Sequence, residues 1–264
     1  MNTIVAELKA SLAFVGRNFN LVKRYAGWEC VFLIYNVVNT VTIGLIGWGD
    51  PEKILFLIVG SLLWGFLSVL FHDVAEAVAW ERWEGTIEYT FMAPIYRLTY
   101  LVGQCSFAVL YAILRSIIIM ALVALFFKIN FTNANIISAL TIVIISSFSF
   151  LGMGLIGAVL PLLSPERGVQ ATHIFQALIL LISGVYYDVS VLPSWIRPLS
   201  VISPGTYTLR SIRKALLENA SLGELSSDIM ILLLIGVFLI PFGLWVFQRA
   251  EIYAKKTGKL KRSG

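Results

Sequence analysis

Apolar positions along this chain fall in long unbroken blocks, not in the narrow stripes that mark helices of soluble proteins. A hydrocarbon core about 30 Å thick needs roughly 20 apolar residues of α-helix at about 1.5 Å each. Six blocks meet that length: residues 30–48, 54–71 with an extension towards 79, 98–127, 135–163, 169–187 and 229–247. None alternates with period two, as a transmembrane barrel strand would, so helices are the spanning solution left. The pattern predicts an all-α membrane protein with six transmembrane helices.

Two segments break the pattern. In residues 3–25, Ile4, Leu8, Leu12, Val15, Phe19 and Val22 recur at helical spacing while Lys9, Arg17, Lys23 and Arg24 interrupt any continuous apolar core. That predicts an interfacial amphipathic helix; a secretory signal would place its charges first and keep its apolar core unbroken. Residues 188–228 are apolar at first but are cut by Pro193, Pro198 and Pro204, so no piece there can span. Half-helices that dip into the outer leaflet are expected, with Trp195 and Tyr207 at headgroup depth. Residues 206–217 then read as an amphipathic helix with Arg210, Arg213 and Lys214 on a wet face. Residues 248–264 form a basic tail. With no internal repeat, residues 1–264 are expected to form one domain.

Composition agrees: 58% of the 264 residues are hydrophobic and 13% are charged. Lys and Arg gather at the termini and in the loops between spans two and three and between four and five, which predicts that both termini are cytoplasmic in a multi-pass cell-membrane protein. The net charge of +5 reflects that bias, and an anionic leaflet accounts for it without nucleic acid. Cys30 and Cys105 show neither disulfide nor metal spacing.

Chemistry is sparse. No Gly-x-x-x-x-Gly-Lys-Ser/Thr occurs, and Gly258-Lys259 lacks both the first glycine and the hydroxyl. His72 and His173 have no partner at metal spacing, and nothing marks a nucleophile. The expectation is no catalytic site, bound cofactor or metal in this chain. One cluster needs explaining: residues 80–88, Trp-Glu-Arg-Trp-Glu-Gly-Thr-Ile-Glu, between two membrane-length blocks. A helix over 81–91 would line Glu81, Glu84 and Glu88 along one side, ending before Pro94. A loop that merely obeys topology rules would also be charged. Two tryptophans beside the acids favour a docking face for a soluble partner.

Glu81-Arg82-Trp83-Glu84-Gly85-Thr86-Ile87-Glu88, followed by Ala93-Pro94, resembles the loop between spans two and three in permease subunits of type-2 ABC exporters. Gly184 to Tyr187, Leu192-Pro193-Ser194-Trp195 and Ser203-Pro204 to Arg213 resemble that family's outer re-entrant hairpin. Asp188 departs from the proline that relatives often carry there. The resemblance covers nearly the whole chain and implies an ATP-driven exporter with a coupling-helix loop at 80–94. It would make Glu81, Arg82, Glu84, Gly85, Thr86 and Glu88 the ATPase-coupling residues and would place Leu192, Pro193, Trp195 and Pro204 in the hairpin. The implied partners are two copies of a separate ABC ATPase, which would hold ATP and magnesium, and a second permease, identical or homologous. The loop is more similar to the branch exporting drugs, antibiotics and other natural products than to the polysaccharide or teichoic-acid branch.

Polar residues inside the spans are candidates for a translocation path or subunit seam. Arg115 lies deep in the third block, where a cation costs roughly 2.5 to 3.5 kcal/mol and must face protein or water. It shares a helical face with Gln104 and Tyr111, a face that would suit an anionic or zwitterionic cargo if it lined the path. His173, Gln176 and Tyr187 share a face of the fifth block, and Asn36, Asn39 and Thr40 one of the first. Such faces also serve as packing seams, as do Gly154 and Ala158. Pro161 and Pro165 set a turn before Glu166 and Arg167, a second candidate contact with the ATPase. A secondary transporter or a membrane enzyme is the competing class; the first would show inverted repeats or acids within its spans, whereas the acids here cluster at span ends apart from Asp73 and Glu76 near the end of the second, and the other would need a convergent acid, base or metal set.

Overall fold

The computed structural model describes residues 3–129 and 134–258, and every regular element in them is helical. In order these are α1 (Thr3–Arg24), α2 (Ala26–Leu45), α3 (Pro51–Glu84), α4 (Ile87–Met92), α5 (Arg97–Phe127), α6 (Ile136–Gly157), α7 (Val159–Leu163), α8 (Pro165–Ser183), α9 (Arg197–Ile202), α10 (Pro204–Leu217) and α11 (Ser226–Lys256), with a 3-10 turn at Val189–Val191. The basic residues Lys259, Lys261 and Arg262 of the expected tail lie outside the described residues.

Boundaries follow local chemistry. Asp50 caps α3, accepting from the Glu52 and Lys53 amides with Pro51 at the first helical position. Asn135 caps α6 through the Ser138 amide. Gly85 ends α3 and Gly184 ends α8 in left-handed conformation (φ +72° and +70°), where a side chain would be strained.

Among the described residues, five helices are long and apolar enough to cross a membrane: Ala26–Leu45, Pro51–Glu84, Leu98–Phe127, Ile136–Leu163 and Ser226–Lys256. They cover the first four expected spans and the last. The expected fifth span appears as α8, a 19-residue helix that starts at Pro165 and stops at Ser183, four residues short of Tyr187. Gln170, His173 and Gln176 lower its hydropathy below that of the five. Two other boundaries move: the first span starts at Ala26, and α3 continues unbroken to Glu84.

Contacts fix the direction of each helix. Along α2 and α5, Tyr111 bonds Glu29 while Phe127 lies against Gly44, so the two run together. α3 runs against both, since Ile58 abuts Gly44 and Glu81 pairs with Arg17. α8 opposes α3: His173 meets His72 at 4.7 Å, Phe175 meets Phe71 at 5.5 Å, and the Val185 carbonyl abuts Gly60. α11 runs with α6, from the Ser149–Leu232 bond to Gly152 against Gly243. The six helices α2, α3, α5, α6, α8 and α11 therefore alternate in direction along the chain. The start of α1, all of α4 and the end of α11 share one end of the bundle, where Lys255 lies 5.6 Å from the Phe91 ring. α10 occupies the other end.

The centre is α3 and α6, whose apolar stretches are 56% and 67% buried, against 11% for α2. Close approach depends on small residues. A side chain at Gly154 would meet the Leu70 and Phe71 backbone, so the Gly154–Ala158 seam packs on α3. At Gly60 an added Cβ would sit 2.2 Å from the Val185 carbonyl oxygen and 2.8 Å from the Arg213 guanidinium. Gly60→Ala is expected to cost roughly 1–3 kcal/mol, because backbone must move. A lowered unfolding temperature in detergent is the measurement, and an unchanged one would mean that α3 and α8 separate freely.

Candidate functional site: a docking surface and an intramembrane cluster

At the α4 end the chain makes a bent tip instead of one straight helix. Gly85 breaks the helix expected over 81–91, so Glu81, Glu84 and Glu88 do not share a side. Glu81 is 5% exposed and bonds Arg17 of α1 at 2.8 Å, and Arg82 is 4% exposed. Both belong to the interior, and α1, which packs along α5, reaches Glu81 through Arg17. The Thr86 amide bonds back to the Glu81 carbonyl and holds the bend. Outside it stand Trp80, Trp83, Glu84, Thr86, Glu88, Tyr89 and Met92, with Tyr89 and Met92 about three-quarters exposed (75% and 76%). Trp80 and Trp83 stack edge to face at 5.8 Å. This is a ridge of large apolar side chains with two exposed acids, of which Glu88 lies within electrostatic reach of Arg82.

α1 clamps that tip with its polar side. Glu7 accepts from the Tyr96 amide and the Thr99 hydroxyl, and Asn18 donates to Gln104, while Ser11 is buried. Leu8 and Leu12 face away from the bundle, as a lipid-facing stripe would.

Deeper in the bundle a polar cluster spans four helices. The Tyr111 hydroxyl donates to Glu29 of α2, and Arg115 Nη1 donates to the Tyr111 oxygen at 3.3 Å. Asp73 of α3 lies within electrostatic reach of Arg115, Glu29, His72 and Glu76. His72 Nε2 is 2.9 Å from Glu76 Oε1. His173 of α8 is exposed and meets the His72 ring. Arg115 thus bonds Tyr111 and lies within electrostatic reach of Asp73.

At the opposite end Arg213 holds three elements. Its guanidinium donates to the Gly184 and Val185 carbonyls at 3.0 and 2.6 Å and lies 3.4 Å from the Phe56 ring centroid. The expected wet face of α10 is therefore wrong for Arg213, which turns inward because the last carbonyls of α8 need a donor. Burial pushes its guanidinium down to about 10, so it stays charged at neutral pH. Arg210 instead grips Asp228, which also accepts from Ser211. In the hairpin Leu192 and Pro204 are buried, Pro193 and Trp195 are exposed, and Tyr207 is buried with its hydroxyl on the Val201 carbonyl, not at a surface. Asp188, at the departure from the family pattern, caps the 3-10 turn through the Ser190 amide.

The chain matches the membrane family described as ABC-2 type transporter over residues 12–217. It belongs to that family. No curated protein matches the chain. Membership makes it a multi-pass permease subunit of an ABC transporter and implies an ATPase partner.

In this ABC-2 permease the expected path residues separate. Thr40 is buried and pairs with Ser61 of α3 at 3.2 Å, and Gln104 is buried under α1, so both are internal seams. Asn36 bonds its own Phe32 carbonyl. Tyr187 bonds the Leu181 carbonyl. Asn39 and His173 are exposed, Gln176 is half-buried, and Tyr111 and Arg115 join the cluster. Reasoning from sequence missed Glu29 and passed over Asp73 and Glu76 as span-end residues. Following the helical spacing past Phe71 would have found His72, Asp73 and Glu76 on an unbroken helix.

Proposed function

We propose that this chain is the membrane subunit of an ATP-driven exporter. Two permeases, identical or homologous, bind two separate ATPase subunits that hold ATP and magnesium. The cargo is a drug, antibiotic or other amphipathic natural product. The observation carrying this reading is the exposed ridge from Trp80 to Met92: an ABC-2 permease with no phosphate-binding loop takes its energy through a surface, and this one joins anchors of the interface type to acids that set register. Glu84, Thr86 and Glu88 make the contact, Gly85 sets the bend, and Glu81 and Arg82 support it from inside.

Six crossings fit the alternating directions of the helices, with α8 as the fifth. The exposed His173 and the polar Gln176 then face a second permease or a water-filled path instead of lipid, which also explains why α8 is less apolar than the others. An even number of crossings puts α1 and the end of α11 on one side, and the positive-inside bias makes that side cytoplasmic. The drug branch over the polysaccharide branch rests on the Glu84 to Glu88 pattern.

The test is reconstitution. Coexpressed with a candidate ABC ATPase subunit, the permease is expected to co-purify with that subunit and to raise its ATP hydrolysis in proteoliposomes. An ATPase that neither co-purifies nor responds would overturn the reading.

A further inference from the structure

The intramembrane cluster holds more carboxyls than permanent cations. Glu29, Asp73 and Glu76 face one permanent cation, Arg115, with His72 and His173 beside them. Two buried atoms, Asp73 Oδ2 and His72 Nδ1, have no hydrogen-bond partner among the described residues. A buried carboxylate oxygen left without a donor is costly, so the carboxyl takes up a proton or meets a cation from elsewhere.

Position sharpens this. Along α3, Asp73 lies about 33 Å from Pro51 and about 17 Å short of Glu84, at 1.5 Å per residue. That is the depth of the leaflet nearer α4. The carboxyl of Glu76 is 44% exposed, and His173 is open beside it. Neither can face hydrocarbon cheaply, so their side of α3 and α8 meets water, cargo or another protein. Next to them Ile174 (65%) and Phe175 (37%) present apolar surface on α8, and Phe175 stacks on the buried Phe71. Acid, an unpartnered carboxylate oxygen and an adjoining apolar shelf are complementary to one kind of molecule, a cation carrying a hydrophobic body.

We propose that Asp73 and Glu76, with His72 and His173, form a binding site for amphiphilic cations entering from the leaflet nearer α4. This deepens the exporter reading and rests on it for direction of movement. Arg115 is then the internal counter-ion that keeps Glu29 and Asp73 from repelling each other in the empty site, and not a ligand for anionic cargo. The other occupant that the surface would accept, a basic side chain of a second copy, is an outcome of the test.

The full chain in nanodiscs is titrated with tetraphenylphosphonium and with tetraphenylborate, ions of matched size and opposite charge, against empty nanodiscs. Saturable binding of the cation at least tenfold tighter than of the anion is expected. Asp73→Asn and Glu76→Gln should each weaken the cation about tenfold or more and leave the anion unchanged, and Arg115→Leu should not weaken the cation. Equal affinities, tighter anion binding, or wild-type affinity in both acid variants would overturn the proposal. So would failure of the wild-type chain to bind the cation until its dimer is dissociated, since that result assigns the acids to the second copy. If a substitution prevents folding, the cation-to-anion preference of the wild-type chain still decides. Co-purification of the ATPase subunit, read on the same preparation, reports separately on the exporter reading.

Discussion

Reversing both exposed acids of the α4 tip, as Glu84→Lys with Glu88→Lys, is expected to return ATP hydrolysis in the reconstituted complex to the rate of the ATPase subunit alone. Both carboxylates stand outside the core, so the variant should express, fold and elute like the wild type. Like-charge juxtaposition across an interface costs several kcal/mol. At about 1.4 kcal/mol per tenfold, two reversals lower affinity more than a hundredfold. The contrast is Glu81→Lys, which should fail to fold, because it buries an unpaired cation against Arg17. Full stimulation by the double reversal would show that Glu84 and Glu88 do not form the docking contact.

A large loss of stability without loss of the fold is expected from Arg213→Met at the opposite end. Methionine fills much of the same space but leaves the Gly184 and Val185 carbonyls without their donor and removes the charge over Phe56. Hydrogen bonds from a charged group contribute about 1.5–3 kcal/mol each; the two short ones are lost together with a longer, weaker one to the Phe56 carbonyl, so a cost of roughly 3–5 kcal/mol follows after discounting the partial exposure of the site. Thermal unfolding in detergent should show a markedly lower transition temperature. Arg213→Lys should recover part of it by reaching one carbonyl but not both. A transition temperature that stays put would mean that the α8 terminus is satisfied without Arg213. The Arg210–Asp228 pair is the useful comparison: Arg210 is half exposed, so Arg210→Met should cost less.

Much of the helical framework can be read from apolar block length, because a bilayer imposes one length on every crossing. The third block, 98–127, coincides with its helix, and α4 falls inside the predicted coupling loop. What escaped were the features set by tertiary pairing. Glu81 looked exposed because its spacing matched Glu84 and Glu88. Nothing local says that Arg17, 64 residues away, comes to cover it. Arg213 looked wet because α10 is amphipathic, yet the carbonyls it serves end a different helix. Glu29 and Arg115 sit 86 positions apart and become neighbours only through Tyr111. Helix breaks were more visible in retrospect: Gly85 stood in the middle of the predicted coupling helix, where a left-handed cap is the usual use of glycine.

α3 runs 34 residues, about 51 Å at 1.5 Å each, with no proline after Pro51. Phe56 and Gly60 near its start meet Arg213, Asp73 and Glu76 lie in its lower half, and Glu84 is its last residue. An unbroken helix without an internal proline has no sharp joint at which motion can be absorbed. A tilt imposed on its foot is felt at its head, with the bundle core as the fulcrum. The outer clamp, the acid cluster and the docking tip therefore cannot be reset one at a time, and timing between the two faces of the membrane is built into the stiffness of a single helix.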